Sequence, residues 1–216
     1  PRLRKPLIVA VQGFCFTIGI ELMLAADINL CASNTRFAQM EVQRGILPFA
    51  GATLRLPHVA GWGNAMRWLL TGDEFDAAEA YRIGLAQEVL ASEDLMPRAL
   101  WLAERVAAQA PLGVQATLAT ARQTFSQGSE VAARSLKPLA QHLFASEDAQ
   151  EGLLAMQERR AGNFKGRKTL TQALASPTNC MACPSRVGLI PNQPEIPVPC
   201  TFLRISKNPA LNSCTN

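Results

Sequence analysis

Lys5-Pro-Leu-Ile-Val-Ala-Val-Gln-Gly13, then Gly19-Ile-Glu-Leu22, then Ala26-Asp-Ile-Asn-Leu-Cys-Ala32 and Arg36-Phe-Ala-Gln-Met-Glu41, is the stretch on which the architecture turns. Leu7–Val11 is a continuous apolar run of strand length, and Gln12-Gly13 ends it. After a loop, residues 19–26 read as a helix whose faces are marked by Ile20, Met23, Leu24 and Asp27. Ile28–Ala32 reads as the next buried strand, closed by Ser33-Asn34, and residues 36–39 read as a short extended piece. Strands and helices interleaved at this spacing belong to the α/β class.

Working outward, residues 41–48 are turn-rich, punctuated by Gly45 and Pro48. Residues 50–61 contain a helix opened near Gly51 and interrupted by Pro57; residues 62–70 form another, ended by Thr71-Gly72. Asp76-Ala-Ala-Glu79 is a capping box for a helix through Arg82, and residues 85–90 read as a short strand. From Glu93 the pattern is helical, over residues 95–110, 111–125, 130–145 (with Pro138 as a break or kink) and 148–160. These patterns divide the chain into a core portion (1–90), a helical region (91–167) and a tail (168–216). The tail holds seven of the 14 prolines, and Pro191, Pro194, Pro197 and Pro199 forbid a helix and a central strand there. A disordered or loosely attached tail is expected.

The composition, 48% hydrophobic and 18% charged, supplies a real core and excludes a disordered chain. The net charge of +4 is concentrated in the tail, which carries four Lys or Arg against one Glu. The body is near neutral and has no basic stripe interleaved with aromatics, so no nucleic-acid partner is expected. No apolar run approaches the roughly 20 residues of a membrane span, and the short run after Pro6 is no signal peptide. Cys15 and Cys31 sit in apolar settings as small buried thiols, which suits a reducing, cytoplasmic compartment. Pro1 in place of Met, with a recognisable element starting almost at once, reads as an N-terminally truncated chain.

Two carboxylates stand out by their setting. Glu21 lies in the first turn of an apolar helix and Glu41 in a loop after a strand. Two carboxyls held across a cleft can run general acid and general base chemistry if burial tunes them. The plainer alternatives are a Glu favoured by the helix dipole and a solvated loop Glu. The loop from Gly13 to Gly19, running into a helix N-terminus, offers backbone N–H groups to an oxyanion but lacks the signature of a phosphate loop. His58 and His142 have no nucleophile or carboxylate at a telling spacing and read as structural or surface groups. Cys180-Met-Ala-Cys183 lacks the second close pair that a zinc ribbon needs, so no metal is expected. Arg159, Arg160, Lys165 and Arg167 form a basic cluster that could meet a phosphate, but charged helix ends of this kind are solvated by default, and that plainer reading is preferred.

The order of the segments carries more than any one residue. Lys5-Pro through Gly13, Gly19-Ile-Glu-Leu22, Ala26-Asp-Ile28, Phe37-Ala-Gln-Met-Glu41 with Gly45-Ile-Leu-Pro48, Arg55-Leu-Pro57 with Gly61, Leu69-Leu-Thr-Gly72 and Asn163-Phe-Lys-Gly-Arg167 follow one another as in the crotonase (enoyl-CoA hydratase/isomerase) family. The resemblance covers residues 5–167. It implies an incomplete crotonase-like spiral of ββα units followed by a C-terminal helical region. It also implies an acyl-CoA thioester as substrate, with coenzyme A part of that substrate and no further cofactor. Hydration of a 2-enoyl-CoA is the implied reaction; enoyl-CoA isomerisation and a non-catalytic acyl-CoA-binding or oligomerising fragment are the alternatives. By the same resemblance Glu21 and Glu41 are the catalytic pair, and the Ile18 backbone N–H serves the oxyanion. Phe14, Gly19, Phe49 and Gly51 line the acyl pocket, and the assembly is a homotrimer or a dimer of trimers. Thr17-Ile18-Gly19 stands where the family has three glycines, and an Ile at the middle position resists backbone angles that Gly permits. Met40 replaces the common Pro, and Phe49-Ala-Gly-Ala52 a Gly-richer turn. The family's N-terminal third, which supplies the first oxyanion N–H, has no counterpart in residues 1–216.

Overall fold

The chain, seen in a computed structural model, is described over residues 3–167 and, for its backbone, residues 200–204. It begins with β1 (Leu7–Val11), β2 (Phe14–Phe16) and α1 (Ile18–Ala25), then β3 (Ile28–Ala32), β4 (Arg36–Ala38) and a 3-10 turn (Glu41–Arg44). Next come α2 (Ala52–Ala60), α3 (Trp62–Thr71), β5 (Phe75–Asp76), α4 (Ala77–Arg82) and β6 (Glu88–Leu90). Four helices follow, α5 (Ser92–Ala107), α6 (Pro111–Gln127), α7 (Ser129–Phe144) and α8 (Glu147–Gln157), and β7 (Cys200–Arg204) is the last element.

The strands form two sheets, one in the order β6-β3-β1-β7 and one in the order β2-β4-β5. In the first, β1 and β3 are parallel with Ile8 opposite Ile28, and β3 is parallel to β6. In the second, β2 and β4 are parallel with Cys15 opposite Phe37. The first two passes of the chain each lay one strand on each sheet before a helix follows, the expected ββα order, whereas in the third pass α4 stands between β5 and β6. Gly13 makes the corner between the sheets at φ 71, a left-handed backbone that suits Gly, and its carbonyl accepts the Arg36 N–H at 2.8 Å.

β1 is buried on both faces, which is why it reads as an unbroken apolar run. Val9 and Val11 face the larger core with Ile20, Met23, Phe37 and Leu56, whereas Ile8 and Ala10 face Leu95, Ala99 and Ala103 of α5. That alternation is the period-two geometry of a strand. Each fully buried aliphatic side chain contributes about 1.5–3 kcal/mol. The helical region is tied to the core by a charged joint: Arg122 of α6 donates to both oxygens of Asp27 at 2.9 and 3.0 Å, and Asp27 Oδ2 accepts the Leu7 N–H at 2.8 Å. Asp76 caps α4 as its sequence announced, accepting the Glu79 N–H at 2.9 Å. The Glu79 carboxylate, rather than returning to the cap, binds Trp68 and Arg82. Cys15 and Cys31 are buried thiols, and Cys15 Sγ donates to Met23 Sδ at 3.6 Å. Among the described residues no helix is long and apolar enough to cross a membrane.

Several expectations change. β2 and β5 are absent from the sequence reading, and the strand expected over residues 85–90 is confined to Glu88–Leu90. Pro57 and Pro138 lie inside α2 and α7, which run through them. An interior proline costs ~3 kcal/mol, and the packing of α2 on α3 and of α7 on α6 outweighs it. Within residues 168–216, the backbone of β7 pairs antiparallel with β1, Val9 opposite Phe202. The five residues of β7 contain no proline and occupy a sheet edge, the one place where a proline-flanked strand fits. Cys180, Cys183 and the prolines named above lie outside the described residues.

Candidate active site

The site is assembled where α1 begins against the end of β4. Thr17, the residue before α1, has φ 49 and ψ −111, a conformation that a β-branched residue rarely adopts. Its N–H donates to the Ala38 carbonyl at 2.8 Å, and its own carbonyl accepts the Glu21 N–H at 3.2 Å. These bonds fix the first turn of α1 beside the segment that follows β4, which carries Gln39 and Glu41. The demanding backbone angle thus falls on Thr17 and not, as expected, on Ile18, because among described non-glycine residues only Thr17 and Arg159 have positive φ. Ile18 is the first residue of α1. Its N–H belongs to the first turn, whose donors lie ahead of any intrahelical acceptor.

Both glutamates are buried: Glu21 is 4% exposed and Glu41 6%. This sets aside the solvated-loop reading of Glu41, while Glu21 lies in the first turn of α1. Glu21 Oε1 accepts the Ala52 N–H, the first of α2, at 3.0 Å. Gly51 delivers that donor by turning the chain at φ 117. Glu41 is held differently. Its Oε1 accepts from Gln39 Nε2 at 3.1 Å, while Glu41 Oε2 and Gln39 Oε1 are buried with no hydrogen-bond partner among the described residues. Burial pushes the Glu41 carboxyl above its ordinary value, its own backbone opposes this, the charge of Glu21 adds to the rise and Arg44 counters it. The two carboxyls therefore feel one another across the site.

The remaining sequence candidates separate. Gly19 is buried in α1, whereas Ile18, Phe14 and Phe49 are exposed, the last at 83%. His58 packs on the Phe125 ring at 4.6 Å, and His142 lines a depression of about 360 Å³ beside Leu3, α6 and α7, to which neither glutamate contributes. Arg160 is paired with Glu151 and Glu158. Among the described residues no cluster of His, Cys, Asp and Glu could hold a metal ion. Gln39 and the Ala52 N–H were not singled out from sequence. The readable signal for Gln39 was a polar amide two residues before Glu41, although the chain between them is not extended, Met40 having φ −90 and ψ 5.

With this geometry in place, the sequence model described as enoyl-CoA hydratase/isomerase matches residues 2–167. The chain is 38% identical over 169 residues to a carnitinyl-CoA dehydratase of Proteus mirabilis, covering 76% of this chain and 65% of that protein. It is 39% identical over 163 residues to a crotonyl-CoA hydratase of Syntrophomonas wolfei, covering 75% and 62%. The solved structure of a probable enoyl-CoA hydratase/isomerase from Mycobacterium abscessus superposes with a TM-score of 0.76 at 51% identity, covering 77% of this chain and 64% of that one. The chain thus spans 62–65% of the length of these relatives.

Proposed function

The chain belongs to the enoyl-CoA hydratase/isomerase family, and from that premise we propose that it adds water across the double bond of a 2-enoyl-CoA thioester, with Glu21 and Glu41 as its catalytic pair. The observation that carries this reading is two glutamates, both almost fully buried, close enough to interact and held by different partners. Isomerisation needs one carboxyl to carry a proton between carbons, whereas hydration must both deprotonate water and protonate carbon. A buried pair suits the second task.

The division of labour follows from the two environments. Glu21 holds one oxygen on a main-chain donor, a setting for a carboxylate that takes the proton of the attacking water. Glu41, whose carboxyl burial raises above its ordinary value, is the acid. The water oxygen bonds to the β-carbon and its proton passes to Glu21. The π electrons move onto the thioester oxygen, where the Ile18 N–H stabilises the enolate, and Glu41 delivers a proton to the α-carbon as the carbonyl reforms. Phe14, Phe49 and Gly51 border the acyl chain, and coenzyme A enters as part of the substrate with no other cofactor. Assembly as a homotrimer or dimer of trimers and a cytoplasmic setting belong to the same reading. The exposed Phe125, Leu136, Phe144 and Met156 of α6–α8 support the assembly.

The test is hydration of a short 2-enoyl-CoA, followed by loss of the conjugated-thioester absorbance, beside Glu21→Gln and Glu41→Gln. Each variant is expected to lower kcat by roughly 10²–10⁴-fold. A folded chain without activity, or full activity in either variant, would sink the proposal. Conversion of a 3-enoyl-CoA alone would favour the isomerase reading.

A further inference from the structure

Gln39 is the residue at the site whose chemistry the glutamate pair does not account for. It is 1% exposed, follows β4 directly, and among the described residues its amide donates only to Glu41 Oε1, at 3.1 Å. Its own Oε1 and the second Glu41 oxygen are both buried and unpartnered among the described residues. A buried amide with one satisfied group is costly unless its orientation serves something else. The main chain of Glu41 is independently fixed, its carbonyl accepting the Ile46 N–H at 3.1 Å, so the only freedom left to its carboxyl is rotation, and the Gln39 amide removes it.

We infer that Gln39 is a positioning residue: by occupying Glu41 Oε1 it leaves Oε2 as the one oxygen that carries and transfers the proton. The inference rests on the proposed hydratase reading for its kinetic consequence, but the contact itself does not. A hydrogen bond donated to a carboxylate favours the charged form. Removing the Gln39 donor therefore drives Glu41 further above its ordinary value, against the background set by Glu21 on α1 and Arg44 on the 3-10 turn, the two charged groups that act on it.

The variant is Gln39→Met, similar in shape and without a donor. The expected result is a fall in kcat of at least about tenfold with KM within about twofold, because what is lost acts in the transition state. The pH limb that Glu41→Gln abolishes should move upward by about one pH unit. A loss of kcat with that limb unmoved would mean that Gln39 only fills space, and unchanged kinetics would mean that it does nothing for Glu41. Either overturns the inference. A second measurement stands without the variant and without activity. In the wild-type chain the Gln39 side-chain amide resonances should shift with pH along the same curve as the Glu41 carboxyl carbon. Independence of the two curves overturns the inference even where Gln39→Met fails to fold. An inactive wild-type chain with coincident curves would remove the hydratase reading and leave the positioning contact standing.

Discussion

Replacing Thr17 by glycine should make this protein more stable, an unusual outcome at a site edge. At φ 49 and ψ −111 the Thr17 Cβ crowds its own backbone, and residues held in such regions store about 1–3 kcal/mol. The side chain returns little for this, since it makes no capping hydrogen bond to α1. Both backbone bonds of Thr17, to Ala38 and Glu21, are equally available to glycine. Against the relief stands the greater freedom that Gly loses on folding, about 0.5–1 kcal/mol. The balance is a gain of about 1 kcal/mol, or roughly 2–4 °C in Tm for a chain of this size. Urea and thermal unfolding followed by circular dichroism would read it, with an unchanged m-value indicating that the native state is what moved. Thr17→Ala is the control: it keeps Cβ and therefore the strain, so it should gain no more than about 0.5 kcal/mol. Because the first turn of α1 keeps its place, hydration by Thr17→Gly should not fall. A glycine variant that unfolds earlier than the parent would refute the strain argument.

Glu41→Gln should lose activity but gain stability near neutral pH. A carboxyl raised in the folded state contributes its full stability at low pH and loses it as pH climbs through the folded value, so the neutral variant should melt higher at pH 7 and equal the parent below about pH 4. Equal melting at both pH values would count against the burial effect. Arg122→Ala strips the partner from a partly buried Asp27 and should cost about 1–3 kcal/mol in urea, with earlier proteolytic release of the α6–α8 region; a cost under about 0.5 kcal/mol would make the joint an ordinary surface pair. Gly51→Ala places a Cβ at φ 117, 2.0 Å from the mobile end of Arg55, so the side chain can yield while the backbone strain of about 1–2 kcal/mol cannot. Hydration should fall with it as the Ala52 N–H shifts from Glu21, and a variant of parental stability and rate would contradict this.

Legibility in the sequence followed how local the cause of each element is. β1 and β3 are readable because burial on both faces writes an unbroken apolar run, and α4 because Asp76 sits at its cap. β2 and β5, three and two residues long, exist only through register with β4, and nothing in Phe14-Cys-Phe16 alone says strand rather than loop. Pro57 and Pro138 argued for breaks that tertiary packing overrode. At the site, the identities and order of Glu21 and Glu41 were readable through a family resemblance. Their burial was not, since it arises where Thr17 joins Ala38, contacts between segments that no local pattern records.

In the proposed hydration, two residues of the same type take different roles because the fold offers them different donors. The donor to Glu21 is a main-chain N–H at the start of α2, fixed by the backbone, which Glu21 Oε1 accepts at 3.0 Å. The Gln39 amide that meets Glu41 is a side chain, neutral and rotatable, in a setting where burial and the neighbouring charge both favour the protonated form. The charge of Glu21 adds to the rise of the Glu41 carboxyl, so a change of charge on Glu21 bears on the proton of Glu41. Transfer of a proton to Glu21 removes the charge that helps Glu41 keep its own, and so lowers the cost of releasing that proton to carbon. Under the proposed hydration the base step prepares the acid step, and the asymmetry that orders them lies in the donors, Ala52 and Gln39, rather than in the glutamates themselves.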